Sequence, residues 1–153
     1  MKVKVLFSYP CTPFGELIEA VEGNGQPSHA AIFMFGGILE ALSNGFVKSP
    51  LNAYDQFKHT IITVDVPNIE AAEAEANKLL GKPYDYRACL DGGIHDLLGV
   101  TVPGNGEVAV DCSEAVTLIL QAGGLNIFPD FSADNVTPAD LLKKLQEVSH
   151  ENT

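Results

Sequence analysis

The alternation of hydrophobic and polar residues along the chain predicts an N-terminal strand followed by a run of short strands. Residues 2–9 read KVKVLFSY, in which Lys2 and Lys4 alternate with valines before the segment becomes apolar. A period of two is typical of a strand with one buried face. Turns that contain Gly or Asn separate four further apolar segments, which are SHAAIFMF, GILEAL, GFVKSPL and HTIITVDVP. Short strands joined by such turns predict an antiparallel sheet.

Helical patterns precede and follow the predicted sheet. Thr12 is a typical cap for a short first helix, and Asn68 is a typical cap for an Ala-rich second helix that ends at Gly81. Asp111 opens a third helix with a glutamate three residues later, which is a capping box. A last helix begins at Thr137 and continues through LLKKLQEV. Helices on either side of a meandering sheet predict an α+β fold.

The length and composition predict one domain over residues 1–148 with a polar tail at 149–153. The chain has 153 residues, of which 46% are hydrophobic and 19% are charged. A chain of this size buries roughly two thirds of the surface that its unfolded form exposes. Residues 82–110 mix weak helical signals with glycine breaks, so their structure is not predicted in detail.

The charge and the distribution of apolar residues exclude several classes of partner. The net charge is −11 at pH 7, which disfavours nucleic acid and anionic membranes as partners and favours neutral or cationic ones. The apolar stretch in the N-terminal segment is too short for a secretory signal. No window of the sequence approaches the roughly 20 apolar residues of a membrane span. These features predict a soluble, cytoplasmic protein; they do not predict its oligomeric state.

Cys112 is the cysteine whose predicted environment favours reactivity. The chain has three cysteines with no CxxC spacing, so neither a disulfide framework nor a zinc site is predicted. Cys112 falls in the first turn of the helix that Asp111 opens, where N–H groups and the helix dipole favour a thiolate and can bind an oxyanion. The alternative is that Cys112 is a small hydrophobic residue packed in the core.

A thiolate nucleophile also needs a base with an orienting partner, and His29 with Glu40 are candidates. In a hairpin with a two-residue turn, the residue numbers of directly opposite residues sum to an odd number. Because 29 and 40 also sum to an odd number, such a hairpin puts both side chains on one face of the sheet. A turn centred on residues 36–37 would pair His29 with Asn44, whereas a turn nearer residues 34–35 would set His29 opposite Glu40. Both Glu40 and Asn44 therefore remain candidates for the third residue.

Several segments, taken in order, carry a family resemblance. They are PSHAAI at residues 27–32, ILEAL after a glycine turn, GKPYD at 81–85, CSEAV at 112–116 and VTPADLL at 136–142. Together they resemble the circularly permuted branch of the NlpC-type papain-like superfamily, in particular its YiiX-like members. The opening VLFSY and TPFGELIEAV are also similar, so the resemblance covers most of the chain, with the histidine before the cysteine.

The resemblance implies a permuted papain-like α+β fold, in which the helix that starts at Cys112 packs against the antiparallel sheet. It implies Cys112 as nucleophile, His29 as base and Glu40 as third member of the triad, with Tyr84 binding the substrate or oxyanion. The predicted activity is a cysteine peptidase or amidase that forms an acyl-enzyme and uses no cofactor or metal. A thioesterase or acyltransferase of the same fold and a catalytically weak binding or assembly module are the alternatives.

Two further features bear on the predicted activity and its substrate. Asp111 departs from the family pattern, in which an aromatic or apolar residue precedes the cysteine, and a carboxylate close to a thiolate raises the thiol pKa. We therefore expect Asp111 to weaken the activity. The negative net charge predicts a preference for peptides or amides that bear a lysine-like amine over lipid esters.

Overall fold

The computed structural model describes residues 1–9, 26–42, 44–83, 112–129, 133 and 136–151. Its elements are, in chain order, β1 (Lys2–Ser8), β2 (His29–Met34), β3 (Gly37–Leu42), β4 (Gly45–Ser49), β5 (His59–Asp65), α1 (Ile69–Leu79), α2 (Cys112–Ala122) and α3 (Pro138–Glu151). The strands form one antiparallel sheet in the order β4-β3-β2-β1-β5. The predicted α+β class and antiparallel sheet are confirmed, whereas the helix predicted after Thr12 lies outside the described residues.

The helix boundaries follow the caps that the sequence predicts. The side chain of Asn68 accepts a hydrogen bond from the Ala71 amide at 3.1 Å, which satisfies one of the open N–H groups at the start of α1. Thr137 Oγ1 accepts from the Asp140 amide, and Asp140 Oδ2 accepts from the Thr137 amide, so the two residues cap α3 reciprocally. α3 then continues to Glu151, beyond the end that was predicted at residue 148.

The sheet has two apolar faces. Alternate residues of the strands form a large core with the helices; we call this side the helix face, and its fully buried members include Val5, Phe7, Ala30, Ile32 and Leu39. α2 packs on β2 and β3, and α3 packs on β5. On the opposite side, which we call the loop face, Leu6, Ala31 and Ile38 pack against Ala53 and Tyr54 of the connection between β4 and β5.

A two-residue turn at Phe35 and Gly36 sets the register of the central hairpin. Both residues have positive φ, 56° and 73°, as in type I′ turns, whose twist matches that of the flanking strands. Met34 therefore pairs with Gly37, and Ala31 lies directly opposite Glu40. The turn falls between the two positions that the sequence allowed, so the residue opposite His29 in this register is neither Glu40 nor Asn44.

The two helices α1 and α2 fix the end of the sheet at which Cys112 lies. α1 begins beside the end of α2, where the Asn68 amide donates to the Gly123 carbonyl, and it ends where the Gly81 amide donates to Phe46 at the start of β4. The end of α2 lies beside the start of α1, and the two helices pack along each other. The first residue of α2 therefore lies near the end of α1, toward the start of β4. In this antiparallel sheet the start of β2 is at the same end, so Cys112 and His29 share one end of the sheet.

A close backbone approach at Gly45 predicts a measurable difference between two Gly→Ala variants. A Cβ at Gly45, where φ is +117°, would lie 2.7 Å from the Lys82 carbonyl oxygen, which accepts from the Phe46 amide. A Cβ at Gly36, with φ of +73°, would meet no atom within 4 Å. We expect Gly36→Ala to lower the free energy of unfolding by about 1 kcal/mol and Gly45→Ala by about 2 kcal/mol, measured by urea denaturation. Equal losses of unfolding free energy in the two variants would show that the contact between Gly45 and Lys82 does not affect stability.

Candidate functional site

A histidine and a carboxylate form a hydrogen-bonded pair on the loop face. His29 Nε2 lies 2.8 Å from Glu40 Oε1. His29 is the first residue of β2 and lies two residues before Ala31, the residue that Glu40 faces. The two side chains are therefore diagonal neighbours on one face, with Cα atoms roughly 7–8 Å apart, a separation that long side chains can bridge. The hairpin register thus brings this predicted pair together.

Glu40 is a buried carboxylate with several hydrogen-bond donors around it. Its side chain is 2% exposed, and it accepts hydrogen bonds from His29, from Tyr54 Oη and from the Ser49 side chain. Burial raises the pKa of Glu40, but the three hydrogen bonds and the charge of His29 together lower it by more. The pKa of Glu40 therefore lies below its ordinary value, and the carboxylate is ionised at neutral pH.

The ionised state of Glu40 fixes the proton on His29. An ionised carboxylate offers only acceptors, so the proton between Nε2 and Oε1 belongs to the imidazole. A neutral His29 then carries its lone pair on Nδ1, the nitrogen that points away from Glu40. The side chain is 16% exposed at the end of β2, so the ring is not sealed in the core. This is the form that a general base requires, with its far nitrogen held by an acceptor.

Tyr54 is a member of this site that the sequence patterns did not single out. Its hydroxyl donates to Glu40 Oε1, and its ring stacks on the His29 ring with centroids 6.0 Å apart and planes at 24°. Tyr54 lies in the connection between β4 and β5, a segment of mixed polar and apolar residues. In the structure Tyr54 and Ala53 are the half-buried residues of this loop, and a buried phenol usually needs a polar partner. Ser49, the last residue of β4, was also not singled out by the sequence patterns.

Cys112 begins α2 and lies in the core of the helix face. The thiol is buried, with 5% exposure, in the same cluster as Ala30. The next residue fixes this end of the helix, because Ser113 Oγ donates to the Val136 carbonyl just before α3. The predicted position of Cys112 in the first turn of a helix is thus observed, and so is the burial that the alternative interpretation expected.

The structure places the histidine pair and the cysteine at one end of the sheet but on different faces. Strand alternation puts His29 with Ala31 on the loop face, whereas Ala30 and Cys112 belong to the helix face. Within the described part of the chain, His29 is hydrogen-bonded to Glu40 and not to Cys112. His29 is the first residue of its strand, so it lies at the end of the sheet.

The remaining predicted site residues are separate from this pair or lie outside the described residues. Asn44 is exposed in the turn between β3 and β4, and no hydrogen bond joins it to His29 in the described segments. Tyr84 and Asp111 lie outside the described residues, as do Cys11 and Cys89. Among the residues that are described, no group of three or more His, Cys, Asp or Glu side chains is arranged to hold a metal ion.

None of the helices in the described segments is long and apolar enough to cross a membrane. The chain matches no protein-family model, and no curated protein matches it.

Proposed function

We propose that the protein is a cysteine hydrolase that cleaves amide or peptide bonds through an acyl-enzyme intermediate. Cys112 is the nucleophile, His29 is the general base and Glu40 orients the imidazole. The observation that carries the proposal is the 2.8 Å hydrogen bond from His29 Nε2 to a buried, ionised Glu40, which leaves Nδ1 with the lone pair. The resemblance to permuted papain-like hydrolases, in which the histidine precedes the cysteine, supports the same assignment.

The proposed reaction uses each of these groups in turn. His29 Nδ1 takes the proton of the Cys112 thiol, and the thiolate attacks the carbonyl carbon of the scissile amide. N–H groups at the start of α2 stabilise the oxyanion, and the amine leaves with the proton from His29. Water then attacks the thioester, again giving a proton to His29, and the carboxylic acid is released as the thiol is restored.

One observation favours a second candidate, a catalytically weak binding or assembly module. Cys112 packs in the helix-face cluster, whereas the base is on the loop face. Catalysis therefore requires the thiol and His29 Nδ1 to meet around the end of β2, within the hydrogen-bond reach that proton transfer needs. A pair that serves only to stabilise the sheet has no such requirement.

The overall charge supports the proposed preference for cationic substrates. With a net charge of −11, the surface attracts groups such as a lysine-like amine and repels phosphorylated or strongly anionic ones. A thioester with a long acyl chain binds well only if its methylenes are buried against apolar surface. This burial stabilises the complex by about 0.8 kcal/mol for each methylene. The proposed substrate is therefore an amide or peptide with an amine near the scissile bond.

The reactivity of the thiols and the trapping of an acyl-enzyme separate the two candidates. We expect limiting iodoacetamide at neutral pH, followed by peptide mapping, to label Cys112 before Cys11 and Cys89. Incubation with a panel of lysine-containing amides, neutral amides and acyl thioesters should then add an acyl mass to Cys112, with Cys112→Ser as control. Preferential labelling of another cysteine would remove the assignment of the nucleophile. A reactive Cys112 that only thioesters acylate would favour the thioesterase or acyltransferase alternative.

A further inference from the structure

We propose that Tyr54 is a positioning residue, which holds Glu40 and the His29 ring in the arrangement that general-base chemistry requires. Its relevance to catalysis rests on the proposed function, whereas its effect on the histidine pair can be measured independently of Cys112. Tyr54 is outside every motif of the sequence and enters the site only through the connection between β4 and β5.

Tyr54 contacts both members of the pair. Its hydroxyl donates to Oε1 of Glu40, the same oxygen that accepts from His29 Nε2. Its ring lies nearly parallel to the imidazole, with centroids 6.0 Å apart. One side chain therefore restrains the carboxylate through a hydrogen bond and the imidazole through a ring contact, so neither group rotates without losing a contact to Tyr54.

The loop around Tyr54 is itself structured. Successive turns are closed by hydrogen bonds from the Ala53 amide to Pro50, from Asp55 to Asn52 and from Phe57 to Tyr54. The ring of Phe57 packs edge-on against Tyr54 with centroids 6.4 Å apart. A side chain held in this way is preorganised and can impose its geometry on Glu40.

The hydroxyl of Tyr54 also acts on the charge of Glu40. A hydrogen bond to the ionised form of a carboxyl stabilises that form, and burial opposes it. Removing the donor raises the pKa of Glu40 and allows the carboxylate to rotate away from His29. A carboxyl that gains a proton becomes a donor to Nε2 and moves the imidazole proton to Nδ1, which no longer acts as a base.

Tyr54→Phe tests this role because it removes the hydroxyl and keeps the ring. We expect the proton and nitrogen NMR signals of His29 Nε2–H to shift, and the acid side of the pH profile for Cys112 alkylation to move to higher pH. The alkylation rate at neutral pH should fall about tenfold, the size expected for a lost hydrogen bond to a charged group. Tyr9→Phe is the matched control, because the Tyr9 hydroxyl contacts Thr60 at 3.1 Å and not the pair.

The NMR and alkylation measurements separate failure of this inference from failure of the proposed function. The His29 Nε2–H signal is expected to stay unchanged in Tyr9→Phe. If it also stays unchanged in Tyr54→Phe, the role of Tyr54 is overturned, whatever the reactivity of Cys112. A shifted signal together with an unreactive Cys112 would support Tyr54 and count against the hydrolase. In the unmodified chain, a nuclear Overhauser effect between the Tyr54 hydroxyl proton and the His29 Nε2 proton is expected, and its absence would also contradict the inference.

Discussion

Replacing His29 with alanine is expected to slow the alkylation of Cys112 at neutral pH about 30-fold. The proposed activity needs an imidazole that takes the thiol proton, and an ordinary thiol with a pKa near 8.5 is only a few per cent ionised at pH 7. The rate can be measured with limiting iodoacetamide at several pH values and quantified on the Cys112 peptide. Loss of the base should remove the reactivity at neutral pH and leave the reactivity in alkali.

His59→Ala is the matched control for this experiment. His59 faces Ser8 from β5, just as His29 faces Ser8 from β2, so the two histidines flank one position at the same end of the sheet. His59 contacts the Phe57 carbonyl through Nδ1 and not Glu40. We expect this variant to be alkylated at the rate of the unmodified chain. Equal rates in His29→Ala and the unmodified chain would show that His29 does not act on Cys112.

Replacing Glu40 with glutamine is expected to lower the free energy of unfolding by about 3 kcal/mol at neutral pH. The buried carboxylate accepts hydrogen bonds from His29, Ser49 and Tyr54, and bonds to a charged acceptor contribute about 1.5–3 kcal/mol each. Because the pKa of Glu40 is lowered in the folded chain, this stabilisation is complete above the ordinary carboxyl pKa of about 4.3. It is lost as the pH falls below that value toward the pKa of the folded state.

The difference in free energy of unfolding between the unmodified chain and Glu40→Gln should therefore shrink in acid. Urea denaturation from about pH 7 to about pH 3 can measure it. Asn44→Ala serves as control for both stability and alkylation, because Asn44 is exposed in the turn after β3. We expect Glu40→Gln to change the pH profile of Cys112 alkylation and Asn44→Ala to leave it unchanged. A constant difference in stability at every pH would mean that Glu40 is not ionised in the folded protein.

Local sequence patterns predicted much of the described fold because the interactions that produce them are local. The period of two in β1 reflects one buried face, and the caps at Asn68 and Thr137 are hydrogen bonds to amides within three residues. The parity of His29 and Glu40 also correctly placed both on one face of the sheet. Each of these features depends on residues that are close in the chain or on the alternation of a strand.

The register and the neighbours of the site required the tertiary structure. The sequence left turns at residues 34–35 and 36–37 open, whereas the structure has the turn at Phe35 and Gly36. Tyr54 reaches Glu40 from a loop 14 positions away because that loop folds over the sheet, a contact that no periodic pattern records. The face on which Cys112 packs was likewise decided by how α2 docks on β2 and β3.

The sequence by itself therefore determined the α+β class, most described elements and the presence of His29 and Glu40 on a common face. Only the tertiary structure decided that Glu40 is the hydrogen-bond partner of His29, that Tyr54 and Ser49 complete the carboxylate's surroundings, and that Cys112 lies across the sheet at the same end. The physical reason is that periodicity and capping report local burial and hydrogen bonding, whereas the meeting of distant side chains depends on register and on the docking of helices and loops.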